Sequence, residues 1–267
     1  MKQQTQGVTF REPHLSRFRE LILSGAGRVD VQDASVRDGY AHEGIIDEAF
    51  LERELYRVTL HQRNICPYLS KRVTAPRQIL DVGCGTGGLS VALALTFPGA
   101  KVTGIEPDER SRQAGGIRAQ GYGVEIDFQG IRPNQPLQFA DNQFDLVTCT
   151  SVIEFITKHE DRLRLVRDLQ RVTAPGGAVL ITTPNPLRPW ELHSGRLFGD
   201  WRKKEGYPWA YPQWTWRELF DGWTRIPMHD RLADKLPAAV PKVMLPLVEL
   251  AGPWQMLLYR RASPVSR

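Results

Sequence analysis

The stretch ILDVGCGTGGLS, Ile79 to Ser90, constrains the fold of this chain more than any other. An aliphatic run passes directly into glycines, and the glycines open a second apolar run of helix length, so a buried strand must turn tightly into a helix. Glycine permits such a turn and lets a ligand lie against the backbone, with the helix amino end behind it to receive negative charge. The same texture recurs in KVTGIEP, FDLVTCT and AVLITT, short β-branched runs separated by segments of helix length. Strands alternating with helices predict an α/β fold, doubly wound, with a mostly parallel sheet covered on both faces. The helix after the glycines runs through Leu89, Val91, Leu93 and Leu95 and stops at Pro98 and Gly99. The helix before AVLITT starts at Glu160 and Asp161, buries Leu163, Val166 and Leu169, and stops at Pro175, Gly176 and Gly177.

Around this centre the chain divides into a helical amino-terminal region (1–75), a core (76–186), an aromatic-rich insertion after the fifth strand (187–223) and a carboxyl-terminal completion of the sheet (224–267). The insertion stands out because six of the seven tryptophans lie between Trp190 and Trp223. It ends in a short helix, WTWRELFDGW, and the last strand is WQMLLYRR from Trp254. With 41% hydrophobic residues, 267 residues suffice for a sizeable core, and a net charge of +5 is no nucleic-acid footprint. Cys66, Cys84 and Cys149 form no CxxC pair, so neither a disulfide framework nor a zinc site is encoded, and a reducing, cytoplasmic location is expected. The amino terminus lacks an apolar signal core, and the apolar stretch Leu236 to Leu258 contains four prolines, Lys242 and Glu249, which argues against a spanning helix.

Gly83, Gly85 and Gly88 spell GxGxxG, a pattern shared by dinucleotide sites and by plain strand-to-helix turns. Asp81 decides between ligands: an acid two residues before the first glycine would repel a pyrophosphate, but it suits a ligand carrying an amino group, such as S-adenosylmethionine. Glu106, at the end of KVTGIEP, is an acid at a strand tip that can accept both hydroxyls of a ribose. In FADNQFDLVTCTSVIEF, Phe139 to Phe155, Asp145 precedes the fourth strand, and Thr148 to Ser151 lie at its carboxyl end, the edge above which ligands of open α/β sheets sit.

At these residues the chain resembles the class I S-adenosylmethionine-dependent methyltransferases, and within them the non-metal, small-molecule group similar to ubiquinone-biosynthesis O-methyltransferases. LDVGCGTGG, GIEPDE, NQFDLV and PGGAVLITTPN follow in the family's order, and the resemblance covers Gln78 to Phe220. It implies a seven-stranded Rossmann-like sheet with one antiparallel strand, and S-adenosylmethionine as cofactor. It also implies that Asp81, Gly83, Cys84 and Gly85 hold the methionine and ribose side, Glu106 and Pro107 the ribose, and that Gly130 and Ile131 flank the adenine. Thr150 would lie near the methionine end, and Tyr40, in SVRDGYAHEG, would close over the cofactor. Two positions depart from the family pattern. Ile131 stands where members commonly carry an acid, with Asp127 a candidate substitute, and Phe155 follows Glu154 where many carry histidine. Thr148 to Phe155 supplies only Glu154 toward a metal site, so metal independence is expected.

Methyl transfer from a sulfonium is an in-line displacement, helped most by alignment and exclusion of water. His159 and His193 are the candidate bases for a protonated acceptor, and each also reads as an ordinary surface histidine. The tryptophans read either as packing for a small subdomain or as a mobile lid over the acceptor. In the second reading the cluster Arg202 to Lys204 meets an acidic group or a membrane surface. The expected activity is methylation of a small, apolar or lipid-like metabolite, at oxygen ahead of nitrogen or carbon, with peripheral membrane contact and no nucleic-acid partner. A nicotinamide-dependent oxidoreductase is the alternative enzyme, although no Tyr-x-x-x-Lys is present. A nucleic-acid methyltransferase is disfavoured by Thr148-Cys149-Thr150-Ser151 where a polar-Pro-Pro-aromatic run would stand. A non-catalytic cofactor-binding scaffold is the third reading.

Overall fold

The computed structural model describes residues 9–24, 48–133, 135–156, 158–187, 211–233, 241–245, 249, 252 and 254–263. They form one seven-stranded sheet built from β1 (Gln78–Val82), β2 (Lys101–Glu106), β3 (Ile126–Gly130), β4 (Phe144–Thr150), β5 (Thr173–Pro184), β6 (Thr224–Ile226) and β7 (Trp254–Arg260). Their order is β3-β2-β1-β4-β5-β7-β6, and β7 alone runs antiparallel to its neighbours. The doubly wound sheet with one antiparallel strand agrees with the sequence reading.

Successive residues of a strand point to opposite faces, and here both faces are covered. Leu80, Val82, Val147, Cys149, Val179 and Ile181 face one apolar cluster, closed by Val166, Leu169 and Val172 of α6 (His159–Val172) and by Trp216 and Phe220. Ile79, Val102, Leu146 and Leu180 face the other, closed by Leu89 and Leu93 of α4 (Gly88–Thr96). The amino-terminal helices are α1 (His14–Leu23), α2 (Glu48–Asn64) and α3 (Cys66–Leu69), of which α3 joins that second cluster through Tyr68 and Leu69. Val58 and Cys66 share a cluster with α4 and with α5 (Glu109–Tyr122), and Phe18, Ile22 and Leu51 pack around Ala114 of α5. Winding reverses between β1 and β4, which opens a crevice above their carboxyl ends.

Three local readings are corrected. Helix α6 ends at Val172, not at Pro175, because Thr173 already pairs with Phe144, and Pro175 to Gly177 fall within an irregular start of β5. Leu163 is only half-buried, and Arg162 and Asp168 take buried positions on that helix instead. Trp216, on α7 (Gln213–Leu219), is fully buried and Trp214 is exposed, so this end of the aromatic segment belongs to the core, as packing and not as lid. Among the described residues, no helix is long and apolar enough to cross a membrane.

Candidate active site at the carboxyl edge of the sheet

The turn after β1 is built by three glycines in the left-handed region, Gly83 (φ 68°), Gly85 (φ 51°) and Gly87 (φ 76°). A Cβ at Gly83 would lie 2.3 Å from Val152 Cγ2, so the turn and the loop after β4 touch at closest packing. A Cβ at Gly85 would meet nothing within 4 Å, and here the backbone borders open space. Gly88, by contrast, is already helical; it is needed because a Cβ there would meet Arg57 Cβ at 2.7 Å. Backbone amides of Gly83 and Cys84 donate to Ile105 O at 2.8 and 3.1 Å and hang the turn from β2. The Cys84 thiol packs inward over Gly104, and burial, with Asp81 and Glu106 nearby, pushes its pKa up, so only its backbone belongs to the turn surface.

Glu106 ends β2 and is buried, with Oε2 accepting from Gly85 N at 3.0 Å and Oε1 from Asp108 N at 3.2 Å. Carboxylate oxygens only accept hydrogen bonds, which is the complement of the two donors of a ribose diol. A carboxylate acceptor beside a glycine backbone that borders open space fits the ribose side of S-adenosylmethionine.

Asp81 sits one register step below the turn and is 1% exposed. Its Oδ2 accepts from Ser90 Oγ at 2.6 Å and its Oδ1 from Thr148 Oγ1 at 2.7 Å. Burial raises its pKa to about 6 against the lowering effect of both hydroxyls. The carboxylate thus ties β1 to β4 and α4, and any attraction for a ligand ammonium group acts from beneath the turn.

Gly130 lies beside Glu106 in the β2–β3 register, and a Cβ there would meet the Arg112 guanidinium at 3.1 Å. Arg112 Nη1 donates to Glu106 O at 2.5 Å and Pro107 O at 2.9 Å, which fastens the tip of β2. Ile131, half-buried, packs on the main core. Asp127 does not reach this tip: it is in register with Thr103, exposed, and accepts from Gln129 Nε2 at 2.7 Å.

Thr150 closes β4 opposite Thr182, and Ser151 follows in a left-handed conformation (φ 55°) with its amide on Thr182 O at 3.0 Å. Glu154 is buried in the 3-10 turn after this strand, and Phe155 is half-buried. His159 starts α6, exposed, and its Nδ1 lies 2.8 Å from Tyr211 Oη, which also accepts from Arg162 Nε at 2.8 Å. Asp145 is placed at the opposite edge of the sheet, where it accepts from the amides of Arg77 and Gln78 and orders the entry to β1. Tyr40 and His193 lie outside the described residues, as do residues 188–210 of the aromatic segment.

The sequence reading missed Arg112, Tyr211, and a buried group formed by Glu54, Thr86 and Arg118. An arginine with helical spacing toward the core side was the available signal for Arg118, whereas the Tyr211 contacts depend on tertiary structure alone. Among the described residues, no cluster of three or more His, Cys, Asp or Glu could hold a metal ion.

Residues 80–181 match the family described as "Methyltransferase domain". A ubiquinone biosynthesis O-methyltransferase of Pseudomonas aeruginosa (strain LESB58) is 35% identical over 111 residues, 42% of this chain and 46% of that protein. The corresponding enzyme of Pseudomonas putida (strain W619) is 34% identical over 119 residues, 44% of this chain and 49% of its own length. The chain thus spans about half the length of the curated relatives it matches. Among solved structures, an O-methyltransferase family protein from Burkholderia thailandensis aligns with a TM-score of 0.57 at 15% identity, covering 94% of this chain and 69% of that one. A SAM-dependent methyltransferase from Methanosarcina mazei aligns with a TM-score of 0.53 at 16% identity, covering 74% and 98%. The [4+2]-cyclase SpnF shares the fold equally well, with a TM-score of 0.53 at 15% identity over 87% of this chain and 98% of its own. Over residues 80–181, carried on this sheet, the chain thus matches a methyltransferase domain and is similar to S-adenosylmethionine-dependent methyltransferases.

Proposed function

We propose that this protein binds S-adenosylmethionine above the glycine turn and transfers its methyl group to an oxygen of a small, apolar or lipid-like acceptor. The observation that carries this reading is the pairing of Glu106 with the Gly85 amide at 3.0 Å, which sets a diol acceptor against an open glycine backbone. When bound, the cofactor supplies an electrophilic methyl group on its sulfonium. In this reading Glu106 holds the ribose, and the backbone from Gly83 to Gly85 lies along it. Asp81 lends negative charge to the amino-acid end, Gly130 and Ile131 flank the adenine, and Thr150 borders the methionine.

Oxygen as the acceptor atom is supported by the printed names of the relatives, which are O-methyltransferases over the matched half. An apolar acceptor is supported by the tryptophans at Trp190, Trp201 and Trp209, which follow the carboxyl end of β5 in the sequence. We assign to that stretch the covering of the acceptor and a contact with a membrane surface through Arg202 to Lys204. His159 is held as the base for a phenolic acceptor, with Tyr211 orienting its ring. Three buried, unpaired thiols support a cytoplasmic assignment.

The reading is tested with methyl-labelled S-adenosylmethionine and a panel of phenols, carboxylic acids and amines, including polyprenylated phenols. Transfer of label to a phenolic oxygen is expected. Label on none of the panel, from protein that binds the cofactor, would turn the assignment toward a non-transferring role of the kind the shared fold of SpnF allows.

A further inference from the structure

We propose that Glu54 and Arg118 are positioning residues for the cofactor turn, acting through the hydroxyl of Thr86; this rests on the S-adenosylmethionine reading above. Thr86 lies between Gly85 and Gly87, both in the left-handed region, where the backbone has the widest freedom and most needs an anchor. Its hydroxyl donates to Glu54 Oε2 and accepts from Arg118 Nη1 at 2.9 Å. Arg118 Nη2 in turn donates to Glu54 O at 2.7 Å and approaches Oε2 at 3.5 Å, and Arg57 Nε donates to Glu54 Oε1. Glu54 and Arg118 are 2% and 0% exposed, and the Arg118 guanidinium lies 4.5 Å from the Phe18 ring.

A buried ion pair of this kind recovers its desolvation cost only when its geometry is well satisfied, and an apolar pair of similar size would stabilise the helices equally well. What an apolar pair cannot do is grip a hydroxyl. Glu106 holds the turn from the sheet side through Gly85, and Glu54 with Arg118 hold the next residue from the helix side. A turn fixed from both sides presents its backbone to the ligand with little left to order on binding. The amino-terminal helices thereby contribute to cofactor affinity without touching the cofactor.

Titration calorimetry with S-adenosylhomocysteine, alongside thermal melting, tests this on the full chain. Thr86→Val keeps the side-chain shape but loses both hydrogen bonds and is expected to weaken binding about tenfold, while Thr86→Ser, which restores them, stays within about threefold of wild type. Glu54→Gln is expected to weaken binding in the same direction, and it carries the test by the same criterion if Thr86→Val does not fold. Lower melting temperatures with unchanged affinity of the folded protein would reduce the network to a structural role and overturn the proposal. A wild type that binds no S-adenosylhomocysteine would overturn the cofactor reading itself, and this inference with it.

Discussion

Glu106 accepts a 3.0 Å hydrogen bond from the backbone amide of Gly85, joining the tip of β2 to the middle of the glycine turn. The two residues are far apart in sequence, and a parallel β1–β2 register with Val82 opposite Ile105 brings them together. Because the carboxylate organises the turn, and in the proposed function also receives the ribose, its loss should damage binding more than one ligand contact would. Glu106→Gln replaces a charged acceptor by an amide that cannot accept from both Gly85 and Asp108 while still receiving a diol. Cofactor affinity is expected to fall by about 10- to 100-fold, or roughly 1.4–3 kcal/mol, with far-UV circular dichroism unchanged. Affinity within about twofold of wild type would remove Glu106 from the site.

Asp81 should give two opposite pH dependences from one group. Its folded pKa, raised by burial to about 6, lies above its ordinary value of 3.8, so between these pH values the folded protein holds a proton that the unfolded chain has released. Stability then falls as pH rises through that window, by up to about 3 kcal/mol, and levels off above it. Asp81→Asn should lack this slope in urea denaturation at pH 4 to 7. Cofactor affinity should move the other way in the wild type, rising as Asp81 ionises near pH 6, and should be weaker and flat in Asp81→Asn. Parallel stability profiles for the two proteins would contradict the assignment.

Gly83 cannot take a side chain in the observed packing. Gly83→Ala should cost about 2–4 kcal/mol, part from the left-handed φ of 68° and part from the contact with Val152 Cγ2 at 2.3 Å. Val152→Ala relieves only the second part, so a double-mutant cycle should show a coupling of about 1–2 kcal/mol. Additive effects would mean that the turn and the loop after β4 are not in contact.

Two tryptophans of α7 should respond differently to the same change. Trp216→Ala empties a fully buried position beside Phe220 and Tyr211 and should cost about 3–5 kcal/mol, whereas Trp214→Ala, at an exposed position, should stay within about 0.5 kcal/mol. Equal costs would contradict the packing of this helix.

The alternation of strands and helices and the turn after β1 were legible because their signals are local: short β-branched runs separated by segments of helix length, and one aliphatic run that passes through glycines into an apolar helix. Glu106 was legible for the same reason, standing at the end of its own strand. The Glu54–Arg118 pair was not, since its members are 64 residues apart and meet only when α2 packs on α5. Asp127 looked close to Gly130 in sequence, yet the β2–β3 register sets it level with Thr103, below the tip. Pro175 signalled the end of α6 three residues late, because pairing of Thr173 with Phe144 overrides a breaker that helix propensity alone would place. The strand β6, Thr224–Ile226, is too short to show a period.

The central claim, that the turn from Gly83 to Gly87 and Glu106 form a cofactor site for S-adenosylmethionine, is tested most directly by titration calorimetry of the purified chain with S-adenosylmethionine and, in parallel, with a nicotinamide dinucleotide. One-to-one binding of S-adenosylmethionine with a Kd in the micromolar range, about −8 kcal/mol, and no heat from the dinucleotide is the expected result. Binding of the dinucleotide with no response to S-adenosylmethionine would contradict it.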